Sequence, residues 1–245
     1  MTASSPHDIE ALRAIGCVVR AVFERMKAAA RAGVTTAELD ALGAGELERH
    51  GARSAPQLWY DFPGATCISV NEEAAHGIPG PRRLVAGDMV NIDVSAELDG
   101  YVADMGESFV VGRAAPAQQR LIDTTRRAVS EAIARVRAGR PLNVIGRTVE
   151  GIAREAGYRV VHNLGSHGVG RNIHEEPSYV PIDNPRDRRR LHAGLVLTIE
   201  PFLTTGRPEV EEADDGWTLR CAPGAMVAQI EHTVIVTERD AIVVT

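Results

Sequence analysis

The sequence has few cysteines, no long apolar run and no block of like charge, and each absence excludes a class of protein. Its three cysteines, Cys17, Cys67 and Cys221, are too few and too scattered for a disulfide framework or a thiolate metal site. No stretch reaches the roughly 18 apolar residues of a membrane span, and the first residues carry charges where a signal peptide needs an apolar run. We therefore expect a protein of the cytoplasm without a membrane partner.

Charged residues are spread along the chain, with 33 acidic and 27 basic side chains and a formal net charge of -6. One basic run, RDRRR at 186–190, lies close to Asp183 and contains Asp187. We interpret it as a solvated turn rather than a nucleic-acid patch, because acidic residues interrupt its positive charge. The charge pattern therefore predicts no specific nucleic-acid partner.

Helical periodicity begins near the start of the chain. Ser5 followed by Pro6 predicts the start of a helix that continues to about Gly33, and Thr35 with Glu38 forms a capping-box signature for a second helix. From residue 66 onward the runs become short and β-branched, and they are separated by Gly, Pro and Asp-Gly. The first part of the chain is therefore two helices followed by strands.

The same order recurs in the second part of the chain. Helical periodicity returns over 117–139 and 143–157, and strand-like runs continue from there to the end. This repetition predicts an α+β fold with two similar halves that meet near residue 115. Because no linker separates the halves, and because 44% of the residues are apolar, we expect a single domain over 1–245 with a shared core.

Three carboxylates occupy positions where the surrounding residues predict buried strands. Asp93 lies in MVNIDVSAEL, Glu200 in LVLTIEPFL and Glu231 in MVAQIEHTVIV. An ionised carboxylate in such a place is very costly unless it is paired, protonated or bound to a metal ion. These three residues are therefore candidates for a charged or metal-binding site.

A hairpin brings a fourth carboxylate to this set. If Asp99 and Gly100 form a two-residue turn, Asp104 pairs with Ser95 and lies diagonal to Asp93 on the same face. The diagonal separation of about 7–8 Å lets two short carboxylates reach one ion held between them. The alternative is a solvent-facing strand pair that carries two ordinary acidic side chains.

Histidines and glycines alternate in HNLGSHGVGRNIHEEP, which contains His162, His167 and His174. Glycine lets the backbone approach closely, as a ligand-binding loop requires. A lone histidine is usually a satisfied polar residue, whereas His167 and His174 around a Gly-x-Gly favour a functional site.

Charge counting relates these residues to one kind of chemistry. Four carboxylates would balance two divalent cations, and carboxylates with one imidazole are hard ligands that suit Co, Mn or Fe(II) better than a structural zinc site. Two such ions can share a hydroxide, lower its pKa and polarise a carbonyl group. The sequence therefore predicts metal-assisted hydrolysis.

Five motifs, in order, resemble those of the type I methionine aminopeptidases: NEEAAHGIPG, VNIDVSAELDGYVAD, GSHGVGRNIHEEP, LTIEP and AQIEHT. The resemblance covers nearly the whole chain. It implies the pita-bread α+β fold, in which pseudo-twofold halves form a curved antiparallel sheet with covering helices. It also implies hydrolysis of the N-terminal methionine from peptides and nascent proteins whose second residue is small, through a hydroxide that bridges two divalent metal ions.

The resemblance assigns a role to each candidate. The metal ligands it implies are Asp93, Asp104, His167, Glu200 and Glu231. Asp104 and Glu231 resemble the bridging pair of the family, and Glu200 resembles its proton shuttle. His174 resembles the donor to the scissile carbonyl, and His76 the residue that contacts the scissile nitrogen.

The resemblance also implies an apolar pocket for the methionine side chain, whose flexible thioether suits such contacts. Residues at matching or nearby positions are Trp59, Phe62, Cys67, Ile173 and Trp217. Core packing is an equally good explanation for Trp59 and Phe62, whereas Trp217 lies in a polar turn. Three departures from the family pattern concern the pocket and its surroundings. Ile173 replaces an aromatic residue, Met105 in ADMGESF replaces the Thr or Asn that usually follows the second metal aspartate, and Glu73 replaces an apolar residue.

Partners and competing functions follow from the same comparison. We expect a monomer that binds the amino terminus of a peptide or nascent chain, with transient ribosome association. One alternative is an Xaa-Pro aminopeptidase or prolidase, which resembles this chain in fold and metal ligands but usually carries an extra N-terminal domain. Another alternative is a binding module of the same fold that has lost its metals, against which the five filled ligand positions argue.

Overall fold

A computed structural model describes all residues from 1 to 245. The helices are α1 (Pro6–Ala29), α2 (Thr36–Arg49), α3 (Ala55–Tyr60), α4 (Pro116–Ile133) and α5 (Asn143–Glu155). None of them combines the length and the apolar character that crossing a bilayer would require.

The two predicted capping sites are confirmed. The Ser5 hydroxyl accepts a hydrogen bond from the Asp8 backbone N–H at 3.1 Å, and the Asp8 carboxylate accepts one from the Ser5 N–H at 3.0 Å. Thr35 and Glu38 make the same reciprocal pair at the start of α2. Each pair satisfies N–H groups that the first turn of a helix leaves without partners, so both helices begin where the sequence predicts.

Helix bounds differ from the prediction at two places. Helix α4 ends at Ile133 instead of continuing to 139, although Val136 beyond its end is buried in the core and extends the apolar periodicity. Helix α3 was not predicted, because six residues are too few to display a helical period. It begins where the Ser54 hydroxyl accepts a hydrogen bond from the Gln57 N–H.

The strands are β1 (Arg53–Ser54), β2 (Cys67–Val70), β3 (Glu73–Ala75), β4 (Met89–Leu98), β5 (Tyr101–Val110), β6 (Arg159–Val160), β7 (Ser166–Gly168), β8 (Glu175–Tyr179), β9 (Val196–Ile199), β10 (Phe202–Thr204), β11 (Glu211–Glu212), β12 (Leu219–Arg220), β13 (Val227–Gln229), β14 (His232–Val236) and β15 (Ala241–Val243). They form four sheets. The two largest are a four-stranded sheet of β1, β4, β2 and β5, and a five-stranded sheet in the order β15-β14-β9-β7-β8. All strand pairs are antiparallel.

The β4–β5 hairpin has the predicted register. Asp99 and Gly100 both have positive φ, 51° and 79°, as a type I′ turn requires. Ser95 faces Asp104, and its hydroxyl donates a hydrogen bond to Asp104 Oδ1 at 2.7 Å. Asp93 therefore lies diagonal to Asp104 on one face of the hairpin. The turn determines this arrangement because it fixes the register of the two strands.

Two large apolar clusters underlie the two halves. The first has 29 buried residues and joins α1 and α2 to the four-stranded sheet, and the second has 22 and joins α4 and α5 to the five-stranded sheet. The hairpin that carries Asp93 and Asp104 belongs to the first half. The strands around His167, Glu200 and Glu231 belong to the second half, so the candidate residues come from both.

Candidate active site

The sequence predicts that Glu200 and Glu231 lie inside buried strands, but this prediction is wrong: both residues lie at breaks between strands. Glu200 and Pro201 separate β9 from β10, and Glu231 follows β13 and precedes β14. At each break the chain leaves one sheet and enters another. In the sequence each hydrophobic run looks continuous, because the short strands on both sides of the break are buried. At the first break, Pro201 has no N–H group to donate to a strand ladder, which favours an interruption there.

Ligand atoms converge at the junction of the two halves. One oxygen of Asp104, one nitrogen of His167 and one oxygen of Glu231 lie within 4.8 Å of one another, and all three residues are buried. His167 Nε2 is 3.2 Å from Glu200 Oε1 and 3.9 Å from Asp104 Oδ2. The structure therefore brings together residues that are widely separated in the sequence.

Electrostatics at this junction favour cation binding. Burial, followed by repulsion from neighbouring carboxylates, raises the pKa of Asp93 and of Glu231 well above the ordinary values. Burial also raises the pKa of Asp104, against the opposing effect of His167. Asp93 Oδ1 and Glu231 Oε1 are buried without any hydrogen-bond partner. Unpaired buried oxygens within a cluster of negative charge fit a divalent cation, which would supply the missing positive charge.

His167 is oriented as a metal ligand would be. Its Nδ1 lies 2.9 Å from the Gly168 carbonyl oxygen, which accepts a hydrogen bond from Nδ1–H and leaves Nε2 directed at the carboxylates. Burial opposes protonation of this ring, but the hydrogen bond to Glu200 and the nearby negative charges raise its pKa to about 9. Without a cation, a proton on His167 partly balances the acidic cluster.

Two residues that orient these carboxylates were missed in the sequence. The Thr198 hydroxyl donates to Glu200 Oε1 at 2.7 Å, and Gln229 Nε2 donates to Glu231 Oε2 at 3.0 Å. Each lies two positions before the carboxylate that it holds, which is the spacing of side chains on one face of a strand. A search for polar residues at that spacing would have found both.

Three of the four carboxylates line a cavity of about 720 Å³. Asp93, Asp104, His167 and Glu200 lie on its wall, together with His76 and His174. Glu231 is almost fully buried and is not part of the wall. A cavity of this size with a few convergent polar groups is typical of a small-ligand site.

His76 has a strained backbone at this cavity. Its φ is +54°, in the left-handed region that non-glycine residues seldom adopt. The neighbouring Gly77 packs directly on β2, where a Cβ would lie 2.3 Å from the Ile68 carbonyl oxygen. Close packing therefore fixes the segment that carries His76, and burial lowers the pKa of its imidazole.

His174 lies between two other rings. The centroid of its imidazole is 4.2 Å from that of His167 and 5.3 Å from that of Tyr60. Burial, followed by the charge of His167, lowers its pKa to about 4. Tyr60 was not predicted from the sequence, although it also lines the cavity.

Four of the five residues expected in the apolar pocket line the cavity: Phe62, Cys67, Ile173 and Trp217. The rings of Phe62 and Trp217 meet edge to face at 5.1 Å. Trp59 is not brought to the cavity. It packs against the first core, and its Nε1 donates to Asn172 Oδ1 at 3.1 Å, so core packing accounts for its position.

Two departures from the family pattern, Glu73 and the residues that follow Asp104 in ADMGESF, do not line the cavity. Glu73 of β3 pairs with Arg82 at 3.2 Å and with Arg220 of β12 at 3.4 Å, and these two arginines balance its charge. Within ADMGESF, Met105 is buried in the first core and Glu107 pairs with Lys27 at 2.8 Å. Neither departure alters the cavity wall, whereas Ile173 does contribute to it.

The chain matches the family described as metallopeptidase family M24 over residues 10–238. It is 41% identical to methionine aminopeptidase 2 of Bacillus subtilis over 247 residues, which cover 100% of this chain and 99% of that protein. It is 45% identical to a methionine aminopeptidase of Staphylococcus epidermidis over 240 residues, 97% of this chain and 96% of that protein.

Solved structures agree with the sequence relatives. A methionine aminopeptidase from Thermotoga maritima superposes with a TM-score of 0.96 at 28% identity, over 100% of this chain and 99% of that one. The prolidase from Pyrococcus furiosus gives 0.80 at 23% identity, and the match covers 98% of this chain but 64% of that one. The second likeness shows the shared fold alone, and the predicted pita-bread α+β class is confirmed. The chain belongs to metallopeptidase family M24, where it groups with the methionine aminopeptidases.

Proposed function

We propose that this protein hydrolyses the peptide bond after an N-terminal methionine, in peptides and nascent proteins whose second residue is small. The observation that carries the proposal is the cluster of Asp104, His167 and Glu231 ligand atoms within 4.8 Å. Asp104 and His167 of this cluster line a cavity that Phe62 and Trp217 also line. Charged groups suited to hydrolysis thus lie beside apolar groups suited to a methionine side chain.

Membership of family M24 implies binding of divalent metal. The residues that would hold it are Asp93, Asp104, His167, Glu200 and Glu231. Four carboxylates and one imidazole match the charge of two divalent ions, and such ligands favour Mn, Fe(II) or Co. When bound, the ions activate a water molecule as the nucleophile and polarise the scissile carbonyl.

Glu200 is proposed as the general base and acid. It takes a proton from the attacking water as the new C–O bond forms, and it delivers that proton to the amine as the C–N bond breaks. Thr198 occupies Oε1 of Glu200 and thereby fixes the carboxylate in one orientation. The carboxylate therefore keeps one orientation during both proton transfers.

The two cavity histidines are proposed to act on the substrate directly. His174 donates a hydrogen bond to the scissile carbonyl oxygen as negative charge develops there, and His76 contacts the scissile nitrogen. Both imidazoles have lowered pKa values, of which that of His174 is about 4, so both rings are neutral near pH 7. A neutral imidazole donates through one nitrogen only, which makes the position of its hydrogen decisive.

A panel of peptides tests the reaction and its specificity. The purified protein is stripped with a chelator, reloaded separately with Mn, Fe(II) or Co, and assayed on Met-Ala-Ser, Ala-Ala-Ser and Xaa-Pro peptides. We expect turnover of Met-Ala-Ser only, and only with metal. Faster cleavage of Xaa-Pro peptides would favour the prolidase alternative, and a protein that neither retains metal nor cleaves any peptide would favour the binding module.

The proposed location is the cytoplasm, with a monomer meeting nascent chains at the ribosome. Arg186 and Arg188 lie exposed in the solvated turn over 186–190 and have no carboxylate within 4 Å, so any contact that they make with ribosomal phosphates would be non-specific and sensitive to salt. Co-sedimentation with ribosomes at increasing salt tests the association, which should weaken steeply as salt rises. Light scattering tests the monomer, and a stable dimer or salt-independent sedimentation would contradict this part of the proposal.

A further inference from the structure

Four of the candidate metal ligands share one structural feature: another group of the protein forms a hydrogen bond with each of them and so holds it in place. The pairs are Ser95 with Asp104, Thr198 with Glu200, Gln229 with Glu231 and the Gly168 carbonyl with His167. His174 has a holding group of the same kind. The Tyr60 hydroxyl lies 2.5 Å from His174 Nδ1, and this is the one hydrogen bond that the ring makes.

The geometry leaves the other ring nitrogen available. Tyr60 is the last residue of α3, and its ring is inclined at 52° to the imidazole of His174. His167 contacts the imidazole edge to face at 67°. Because Nδ1 is occupied by the tyrosine hydroxyl, Nε2 is the nitrogen that can reach a substrate.

We propose that Tyr60 is a positioning residue for the reaction, which orients the His174 ring and keeps a hydrogen on its Nε2. This inference rests on the proposed function, in which His174 donates to the scissile carbonyl. A hydroxyl group both donates and accepts. When the ring is neutral, Tyr60 donates to Nδ1 and the hydrogen stays on Nε2. When the ring is charged, Nδ1–H donates to the tyrosine oxygen and Nε2 still carries its hydrogen.

Two properties of Tyr60 suit it to this role. Burial raises the pKa of its phenol, so the hydroxyl keeps its hydrogen throughout the neutral range. The side chain is 45% exposed, so removing the hydroxyl leaves no unfilled space in either core. A variant that lacks only this oxygen therefore separates positioning from stability.

Tyr60→Phe tests the proposal by kinetics. We expect kcat on Met-Ala-Ser to fall about 10- to 100-fold, with KM changed by less than about twofold. The reason is that the hydrogen bond from His174 stabilises charge that develops in the transition state and contributes little to substrate binding. Tyr158→Phe is the matched control: this tyrosine packs against the second core, does not line the cavity and should keep wild-type kinetics. Unchanged kcat in Tyr60→Phe would overturn the proposal.

Nitrogen-15 NMR of the histidine rings supplies a readout that does not depend on turnover. The protein is loaded with Zn²⁺, which is diamagnetic, and the His174 signals are identified by their loss in His174→Gln. We expect hydrogen on Nε2 in the wild type and in Tyr158→Phe, and a mixture of both tautomers in Tyr60→Phe. An unchanged tautomer in Tyr60→Phe would count against the role of Tyr60, whereas wild-type protein that cleaves no methionyl peptide would contradict the proposed function itself.

Discussion

Metal removal should make the free energy of unfolding fall as the pH rises from about 7 to 9. In the metal-free protein, burial opposes protonation of His167, but Glu200 and Asp104 raise its pKa from 6.5 to about 9. A histidine whose pKa rises on folding stabilises the folded state fully below pH 6.5, and this stabilisation is lost as the pH rises through about 9. Asp93 and Glu231, with raised pKa values, act in the same direction, because the folded chain then binds more protons than the unfolded chain.

The magnitude follows from the linkage relation. Each proton by which the two states differ changes the free energy of unfolding by about 1.4 kcal/mol per pH unit. With pKa values of 6.5 unfolded and about 9 folded, His167 alone loses about 2 kcal/mol between pH 7 and 9. For a chain of 245 residues this lowers Tm by about 4–8 °C. Burial and the charge of His167 lower the pKa of His174 to about 4. This histidine lowers the free energy of unfolding only as the pH falls below about 6.5, which is outside the range from pH 7 to 9.

Denaturation in guanidinium chloride at pH 7, 8 and 9 measures the effect, on chelated protein and on protein reloaded with Mn²⁺ or Co²⁺. The reloaded protein should show little pH dependence in this range, because metal binding has already released the protons of the proposed ligands to the solvent. His167→Asn should remove the histidine share of the slope from the chelated protein. Stability that is flat with pH in the chelated wild type, or an equal slope in the reloaded protein, would refute the reasoning.

Three further predictions concern individual residues. Glu231→Gln should reduce bound metal, measured by elemental analysis, and lower kcat/KM by more than about 100-fold; full metal content would contradict its assignment as a ligand. Gly106→Ala should lower the free energy of unfolding, measured by chemical denaturation, by about 1–3 kcal/mol, because a Cβ there would lie 2.3 Å from Gln229 Oε1. The control Gly45→Ala, where a Cβ on α2 would meet open space, should raise it by about 0.5–1 kcal/mol. Phe62→Ala should lower kcat/KM for methionyl peptides by about 10- to 100-fold through lost contacts with the side chain, and equal rates for both proteins would exclude Phe62 from the pocket.

Local signals in the sequence predict much of the fold. Capping residues fix the starts of α1 and α2, and the Asp99-Gly100 turn fixes the register that sets Asp93 diagonal to Asp104. These features depend on residues close together in the chain, and each has a physical cause that can be read from the letters. The order of helices and strands follows for the same reason.

Features that depend on the meeting of distant segments were not predictable in this way. The breaks at Glu200 and Glu231 are hidden in continuous hydrophobic runs, since both flanking strands are buried in different sheets. Tyr60 lies 114 positions from the ring that it contacts, and no local pattern distinguishes it from Trp59 beside it. Which of two adjacent aromatic residues faces the cavity is decided by how α3 packs, and six residues carry too little periodicity to reveal that.

The proposed ligand set is divided between the two parts of the chain: two aspartates come before residue 115, and one histidine and two glutamates come after it. Neither part alone contains all five proposed ligands. If the polypeptide were expressed as two separate fragments divided in the loop before α4, each fragment alone should bind divalent ions weakly. Tight binding would return only when the fragments reassociate, so ion uptake would report on complementation of the two pieces.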